Sequence, residues 1–343
     1  MAVEIRCASL QSHQTELIAL FKRHLTSDSD ERRFDWLYRQ NPYGPARAWL
    51  ASDCGNGTIV GAAAAFPRTF YFHGEKRSGW VLGDFCLAEE HRSMGPALQL
   101  QRACLQAMAP PYDFCYDFPS VPMMAIYKRL GIQQTGTLIR WAKPLRIEER
   151  LEPVVRSKTV ARILGRVGGA MLAARGWKGR KDACKIELLQ GPCGQEFTAL
   201  DHLLGKQPGV RAERTAEHLN WRFLAHPSRA HEILAARRNT TLVGYAVLQS
   251  EPTNARIVDL VSVEEPAVIA RLIGAAVNRM RGSGAKSVNL AAAEAHPWSA
   301  IFERAGFRRR ESHPIVVVTG VGATIKETNF QTAWYLMEGE RDS

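Results

Sequence analysis

The seven cysteines form no C-x-x-C pair and their number is odd, so a secreted disulfide framework is a poor fit. They read as reduced, mostly buried small hydrophobes. The ten histidines show no H-E-x-x-H and no Cys/His cluster of zinc spacing. No protein-bound metal is expected. No apolar run approaches the roughly 18 residues that a membrane span requires, and Met1 to Leu20 carries Glu4, Arg6, His13 and Glu16. The chain is therefore expected to be cytoplasmic, mature as written and without a transmembrane segment. Low-complexity tracts are also missing, and aromatic (8%) and charged (23%) fractions are those of a globular chain.

What is present begins with size. A length of 343 residues with 45% hydrophobic content exceeds one ordinary core and implies two domains. The net charge of +11 is concentrated. Between Arg150 and Lys185 ten basic residues face only Glu152 and Asp182, so basicity belongs to a connector and not to the domains.

An internal repeat sets the organisation. Gly83-Asp84-Phe85-Cys86-Leu87-Ala88-Glu89-Glu90 is matched 175 positions later by Val258-Asp259-Leu260-Val261-Ser262-Val263-Glu264-Glu265. The stretch from Pro122 through Tyr127 and Gly131 is matched at the same offset by Pro297, Phe302 and Gly306. Trp36 and Pro42 recur as Trp221 and Pro227, 185 positions on. Two copies of one fold follow, residues 1–148 and 186–343, joined by the basic connector 149–185.

Within the first copy, periodicity predicts a helical start and then strands at 48–52, 59–66 and 69–72, with turns at Cys54-Gly55-Asn56-Gly57 and His73-Gly74. A strand at 81–87, a helix at 95–108, a strand at 114–118, a helix at 123–130 and a strand at 138–144 complete it. The fold class is α+β, each copy a mixed, mostly antiparallel sheet flanked by helices.

His91-Arg92-Ser93-Met94-Gly95-Pro96-Ala97-Leu98 links a strand to a helix, where unpaired N–H groups and the helix dipole attract an anion. Arg92 adds fixed charge, Gly95 permits close approach and Ala97 keeps the helix start clear. Pro96 removes one donor, as a first helical turn tolerates. With Tyr127-Lys128-Arg129-Leu130-Gly131-Ile132 downstream, this Arg-x-x-Gly-x-Ala loop resembles the GNAT acetyltransferase superfamily. The resemblance covers most of the first 145 residues.

That resemblance implies acetyl-CoA or another acyl-CoA as co-substrate, held by Leu87, Ala88, Arg92, Ser93, Met94, Gly95, Pro96 and Ala97. It implies direct attack of an amine on the thioester, with Tyr127 as acid for the departing thiolate and Asp84 as base or substrate contact. Glu89 and Glu90 lie nearby, and Ser120 reads as a turn serine. Cys86 reads as a strand residue and not as a nucleophile.

At the 175 offset Arg92, Gly95, Ala97 and Tyr127 become Ala267, Ala270, Leu272 and Phe302, so the second copy reads as degenerate. The expected function is an N-acyltransferase acting on an amine of a small molecule, amino sugar or peptide. An aminoacyl-tRNA-dependent ligase, transfer from an acyl carrier protein, and a non-catalytic CoA-binding module remain open beside it. An acidic partner or an anionic membrane surface would suit the connector; stable nucleic-acid binding is not expected.

Overall fold

The computed structural model describes residues 2–107, 112–146, 184–251, 253–263, 265–320, 325–331 and 333–341. The first half runs β1 (Val3–Cys7), α1 (Gln14–His24), α2 (Glu31–Phe34), β2 (Arg47–Asp53), β3 (Ile59–Phe72), β4 (Glu75–Leu87), α3 (Met94–Ala107), β5 (Phe114–Asp117), α4 (Val121–Arg129) and β6 (Gly136–Pro144). A strand therefore precedes the helical start. The expected strands at 59–66 and 69–72 are one, because Pro67 and Arg68 stay paired to Trp80 and Gly79 through the hairpin. The connector's charge lies outside the described residues, apart from Lys185, which pairs with Glu187 at 2.9 Å.

The second half repeats the order: β7 (Cys184–Leu188), α5 (Gln195–Gly205), β8 (Val210–Ala212), α6 (Ala216–Leu219), β9 (His231–Arg238), β10 (Thr241–Gln249), β11 (Asn254–Ser262), α7 (Pro266–Gly282), β12 (Ser287–Ala293), α8 (Ser299–Arg304) and β13 (Arg308–Thr319). Among the described strands only β8, which pairs with β3, has no counterpart. Both α2 and α6 pass into a wider π turn, Asp35–Arg39 and Asn220–Leu224, at matching positions.

The halves share one sheet in the order β1-β2-β3-β4-β5-β13-β6-β12-β11-β10-β9-β7. Read from either end the order is the same, and the midpoint falls between β13 and β6. Each half's last strand is thus exchanged: β13 pairs antiparallel with β5, and β6 with β12. Neither half closes its sheet alone.

The repeated tryptophans meet on this pseudo-two-fold. Trp36 Nε1 donates to the carbonyl of Trp221 and Trp221 Nε1 to that of Trp36, both at 2.8 Å, with ring centroids 5.2 Å apart. Both rings are buried, so the indole donors need these carbonyls. One hydrophobic cluster accordingly draws on both halves, joining Phe34, Tyr38 and Phe66 to Trp221, Phe330 and Trp334.

Candidate functional site

A cleft opens where two parallel strands part. β4 and β5 pair only from Gly79↔Phe114 to Val81↔Tyr116, after which β4 continues through Leu82–Leu87 while β5 ends at Asp117. β4 is bulged at this point, with Asp84 and Phe85 opposite the single Ala63 of β3, and Asp84 takes a left-handed backbone (φ 47°). The resulting cavity of about 590 Å³ is walled by Leu82–Leu87 on one side and Asp117–Ser120 on the other. Arg92, Ser93, Met94 and Ala97 line its mouth, and Met123 and Ile126 of α4 line its floor.

The structure brings the expected loop to this cleft. α3 starts at Met94, so the N–H groups of Met94 and Gly95 lie in a first turn without intrahelical acceptors, and Pro96 beside them has none to offer. A Cβ on Gly95 would meet nothing within 4 Å, so no protein neighbour requires glycine there. Arg92 Nε donates to the Leu87 carbonyl at 2.9 Å and anchors an otherwise half-exposed side chain. His91 is buried beneath, with Nε2 2.7 Å from Asp53 Oδ2. Gly95 and Pro96 are at the helix start, Leu87 and Ala88 at the strand end; both of the latter are buried.

Asp84 borders the cleft but is already clamped. Arg33 donates to both its carboxylate oxygens at 2.9 and 2.8 Å, and the Tyr38 hydroxyl donates at 2.9 Å. The pair is almost wholly buried, with side-chain exposures of 14% and 1%. Its counterpart Asp259 is likewise held by an arginine, Arg214 Nε at 2.9 Å, and Arg214 also bonds Glu340. Both halves therefore hold a buried Asp–Arg pair at this position.

Tyr127, the expected acid, lies beside the cleft and not on its lining. It is fully buried behind the cleft wall, its hydroxyl donating to Asp117 Oδ2 at 2.8 Å and accepting from Gln101 Nε2 at 3.1 Å. Gln101 and Asp117 line the cavity. Burial pushes the Asp117 carboxyl up to about 6, against the lowering effect of the Tyr127 hydroxyl, the Phe118 amide and the nearby Arg341 charge. Burial also raises the Tyr127 phenol well above its ordinary value, reinforced by Asp117 beside it. Cys86, on the cavity wall, is pushed up to about 12 by burial and stays a thiol.

Sequence reasoning missed Asp117, although a signal existed. The offset of 175 carries Gln101, Asp117 and Tyr127 onto Ala276, Ala292 and Phe302, so the hydrogen-bonded trio is lost as a unit. Ser120, by contrast, caps α4 with Oγ 3.4 Å from the Met123 amide.

The family model for the acetyltransferase (GNAT) domain matches residues 8–135. These residues are a GNAT acetyltransferase domain. Solved structures share the fold across nearly the whole chain. A conserved protein of unknown function from Enterococcus faecalis, titled a probable N-acyltransferase, is 11% identical, with TM-score 0.67 over 95% of this chain and 75% of its own. A GCN5-related N-acetyltransferase from Anabaena variabilis is 14% identical, with TM-score 0.65 over 92% and 72%. N-myristoyltransferase of Saccharomyces cerevisiae, solved with bound myristoyl-CoA, is 10% identical, with TM-score 0.57 over 98% and 90%. No curated protein matches the chain.

Opposite the GNAT cleft, the equivalent opening in the second half is filled. β11 and β12 pair from Asn254↔Ser287 to Ile257↔Leu290 and then part. The last described segment of the chain lies between them: Met337 bridges to Ala292, the Ala293 amide donates to Leu336 at 3.0 Å, and Gly339 packs on Val258. A Cβ at Gly339 would come within 2.9 Å of the Val258 carbonyl, so only glycine fits that approach. The same segment then passes back to the first half, where Glu340 accepts from the Tyr116 hydroxyl and Arg341 lines the GNAT cleft. Leu272, in place of Ala97, is fully buried.

Among the described residues one trio, Asp201, His202 and Glu213, has atoms close enough for a metal. Asp201 accepts from the Arg214 amide and Tyr71, and Glu213 from Lys76, so the carboxylates already have donors. No described helix is long and apolar enough to cross a membrane.

Proposed function

We propose that the chain is an acyl-CoA-dependent N-acyltransferase with one donor site, in the cleft between β4 and β5. The observation that carries this reading is that cleft, continuous with the α3 start and open in one half while the chain fills its counterpart. Arg92 and the amides of Met94 and Gly95 would hold a pyrophosphate, and the open space at Gly95 suits close approach. Leu87 and Ala88 would flank the pantetheine arm. Acyl-CoA supplies the activated thioester. The donor is taken as acetyl-CoA.

The chemistry falls to Asp117. Ionised, it accepts the proton lost as the amine nitrogen bonds to the carbonyl carbon and the carbon–sulfur bond breaks; it then returns that proton to the thiolate. A carboxyl near 6 is suited to both transfers at neutral pH. Tyr127 serves by orienting Asp117, a positioning role in place of the direct acid that the resemblance implied. Asp84 holds the bulged strand, and Cys86 stays protonated, so no acyl-enzyme is needed.

Calorimetry with acetyl-CoA tests the donor site. One molecule per chain is expected, with affinity lowered at least tenfold in Gly95→Leu and melting temperature unchanged. Two equivalent sites, or unaltered affinity in Gly95→Leu, refute it. The second half, on this proposal, is a degenerate copy that supplies β13 and Arg341 to the first.

A further inference from the structure

The sheet face that packs under the tryptophan pair differs between the halves. In the first half Val81, Phe114, Tyr116, Ile315 and Val317 make it apolar, and Phe330 and Trp334 cover it, the Phe330 ring 4.9 Å from that of Phe114. In the second half β6, β11 and β12 carry Arg140, Arg256, Ser287 and Asn289 there, and a cavity of about 550 Å³ opens over them. That volume falls within the about 300–1,000 Å³ of small-molecule sites. Residues of β6 fix the side: Ile139 and Trp141 pack into the core under α7, so Arg140 and Ala142 point the other way.

The wall is cationic. Four lining residues are arginines, Arg140, Arg256, Arg310 and Arg341, against the single carboxylate of Glu338. Arg140 is committed to Glu311 and Asn289, and Arg256 donates through Nη1 to Glu338 at 2.7 Å, with Glu251 3.6 Å from its Nε. Arg310 is placed otherwise. β13 bulges between Arg309 and Ser312, opposite Arg140, and Arg310 makes no hydrogen bond or ion pair among the described residues.

The neutral groups are donors as well. Asn254 Oδ1 accepts from Ser287 Oγ at 2.8 Å and Asn289 Oδ1 accepts from Arg140, which leaves both amide NH2 groups for the cavity. Asn289 is only 9% exposed, and its NH2 has no acceptor among the described residues. A solvated sheet face would offer donors and acceptors alike. Here both amide oxygens are consumed within the protein, and a buried donor without an acceptor is costly unless a ligand oxygen meets it.

We propose that this cavity binds a small phosphorylated molecule, its phosphate held by Arg256, Arg310 and the amide groups of Asn254 and Asn289. These donors stand on three strands and approach from different directions, which suits the three acceptor oxygens of a phosphate better than the two of a planar carboxylate. The site belongs to the second half and stands apart from the acyl-transfer reading.

The test is calorimetry of the full chain with inorganic pyrophosphate, beside its Arg92→Ala, Arg310→Glu, Asn254→Asp and Arg23→Glu variants. One site that persists in Arg92→Ala is expected. Arg310→Glu, at an exposed position, should weaken it at least tenfold with the melting temperature unmoved. Asn254→Asp keeps the oxygen that accepts from Ser287 and places a negative charge at the site, so a loss of about tenfold is expected there too. Arg23→Glu makes the same charge change on exposed α1 and should alter affinity less than twofold. No binding, a loss confined to Arg92→Ala, or an equal loss in Arg23→Glu and Arg310→Glu overturns the proposal. Citrate held as tightly as pyrophosphate overturns the choice of phosphate.

Discussion

Tyr127→Phe separates two accounts of the cleft. The Tyr127 hydroxyl donates to Asp117 and holds its carboxyl below the value that burial alone would set. A hydrogen bond to a charged group is worth about 1.5–3 kcal/mol, and 1.36 kcal/mol corresponds to one pH unit. Removing it should move the Asp117 carboxyl up by about one to two pH units, from about 6 to roughly 7–8. If ionised Asp117 is the base, activity rises with pH through that value. The wild type should then reach its plateau above about pH 7, and the variant only above about pH 9. At pH 7 turnover should fall several-fold, and at pH 9 it should recover. The same substitution leaves the buried Gln101 amide without its acceptor, so about 1–3 kcal/mol of stability should be lost as well. The assay is kcat/KM against pH on a variant whose melting curve is measured in parallel. A fall on the order of 10²-fold at every pH would make the hydroxyl itself the acid and refute the positioning role. An unmoved profile would remove Asp117 from the chemistry.

Two further outcomes follow from the framework. Arg33→Ala strands the Asp84 carboxylate with only the Tyr38 hydroxyl, so unfolding by urea should show a loss of about 3–5 kcal/mol; a change under 1 kcal/mol would show that Asp84 is not held as described. Trp221→Ala removes a buried ring and leaves the Trp36 carbonyl without the indole N–H that donates to it, so about 3–5 kcal/mol should be lost in a single transition that unfolds both halves; two separate transitions would refute the shared core.

Matched proline, glycine and tryptophan positions made the duplication legible, because such residues mark helix starts, turns and buried rings that recur with the fold. The strand-to-helix turn that reaches the cleft was legible for a similar reason: Arg92, Gly95 and Ala97 fall within six consecutive positions, so local sequence contains the whole feature. The strand exchange was not. Whether β6 returns to β5 or crosses to β12 depends on which partner offers the free edge, and both edges are almost continuously buried, with no alternation to tell them apart. Asp117 was hidden for a different reason. Its meaning comes from burial at the end of β5 and from Tyr127, ten residues away on the next helix, and a lone aspartate before Phe118 carries no local mark.

The two aspartates show how a duplicated chain separates scaffold from chemistry. Asp84 and Asp259 both persist, each buried and each held by an arginine, although only one borders an open cleft. Retention without a site therefore argues for support of the bulged strand. Asp117 does the opposite: it disappears together with Tyr127 and Gln101 in the half whose cleft is filled by Met337 and Gly339. A trio kept for packing alone could lose one member and keep the others, since Phe302 fills the same ring space as Tyr127. Joint loss is expected when the three polar groups satisfy one another. Once the cleft closed, an ionisable Asp at position 292 would have been buried against the chain's own backbone at a cost of several kcal/mol, and alanine removes that cost. The filled cleft and the apolar trio are thus one physical change, and the open cleft with Asp117 is its complement.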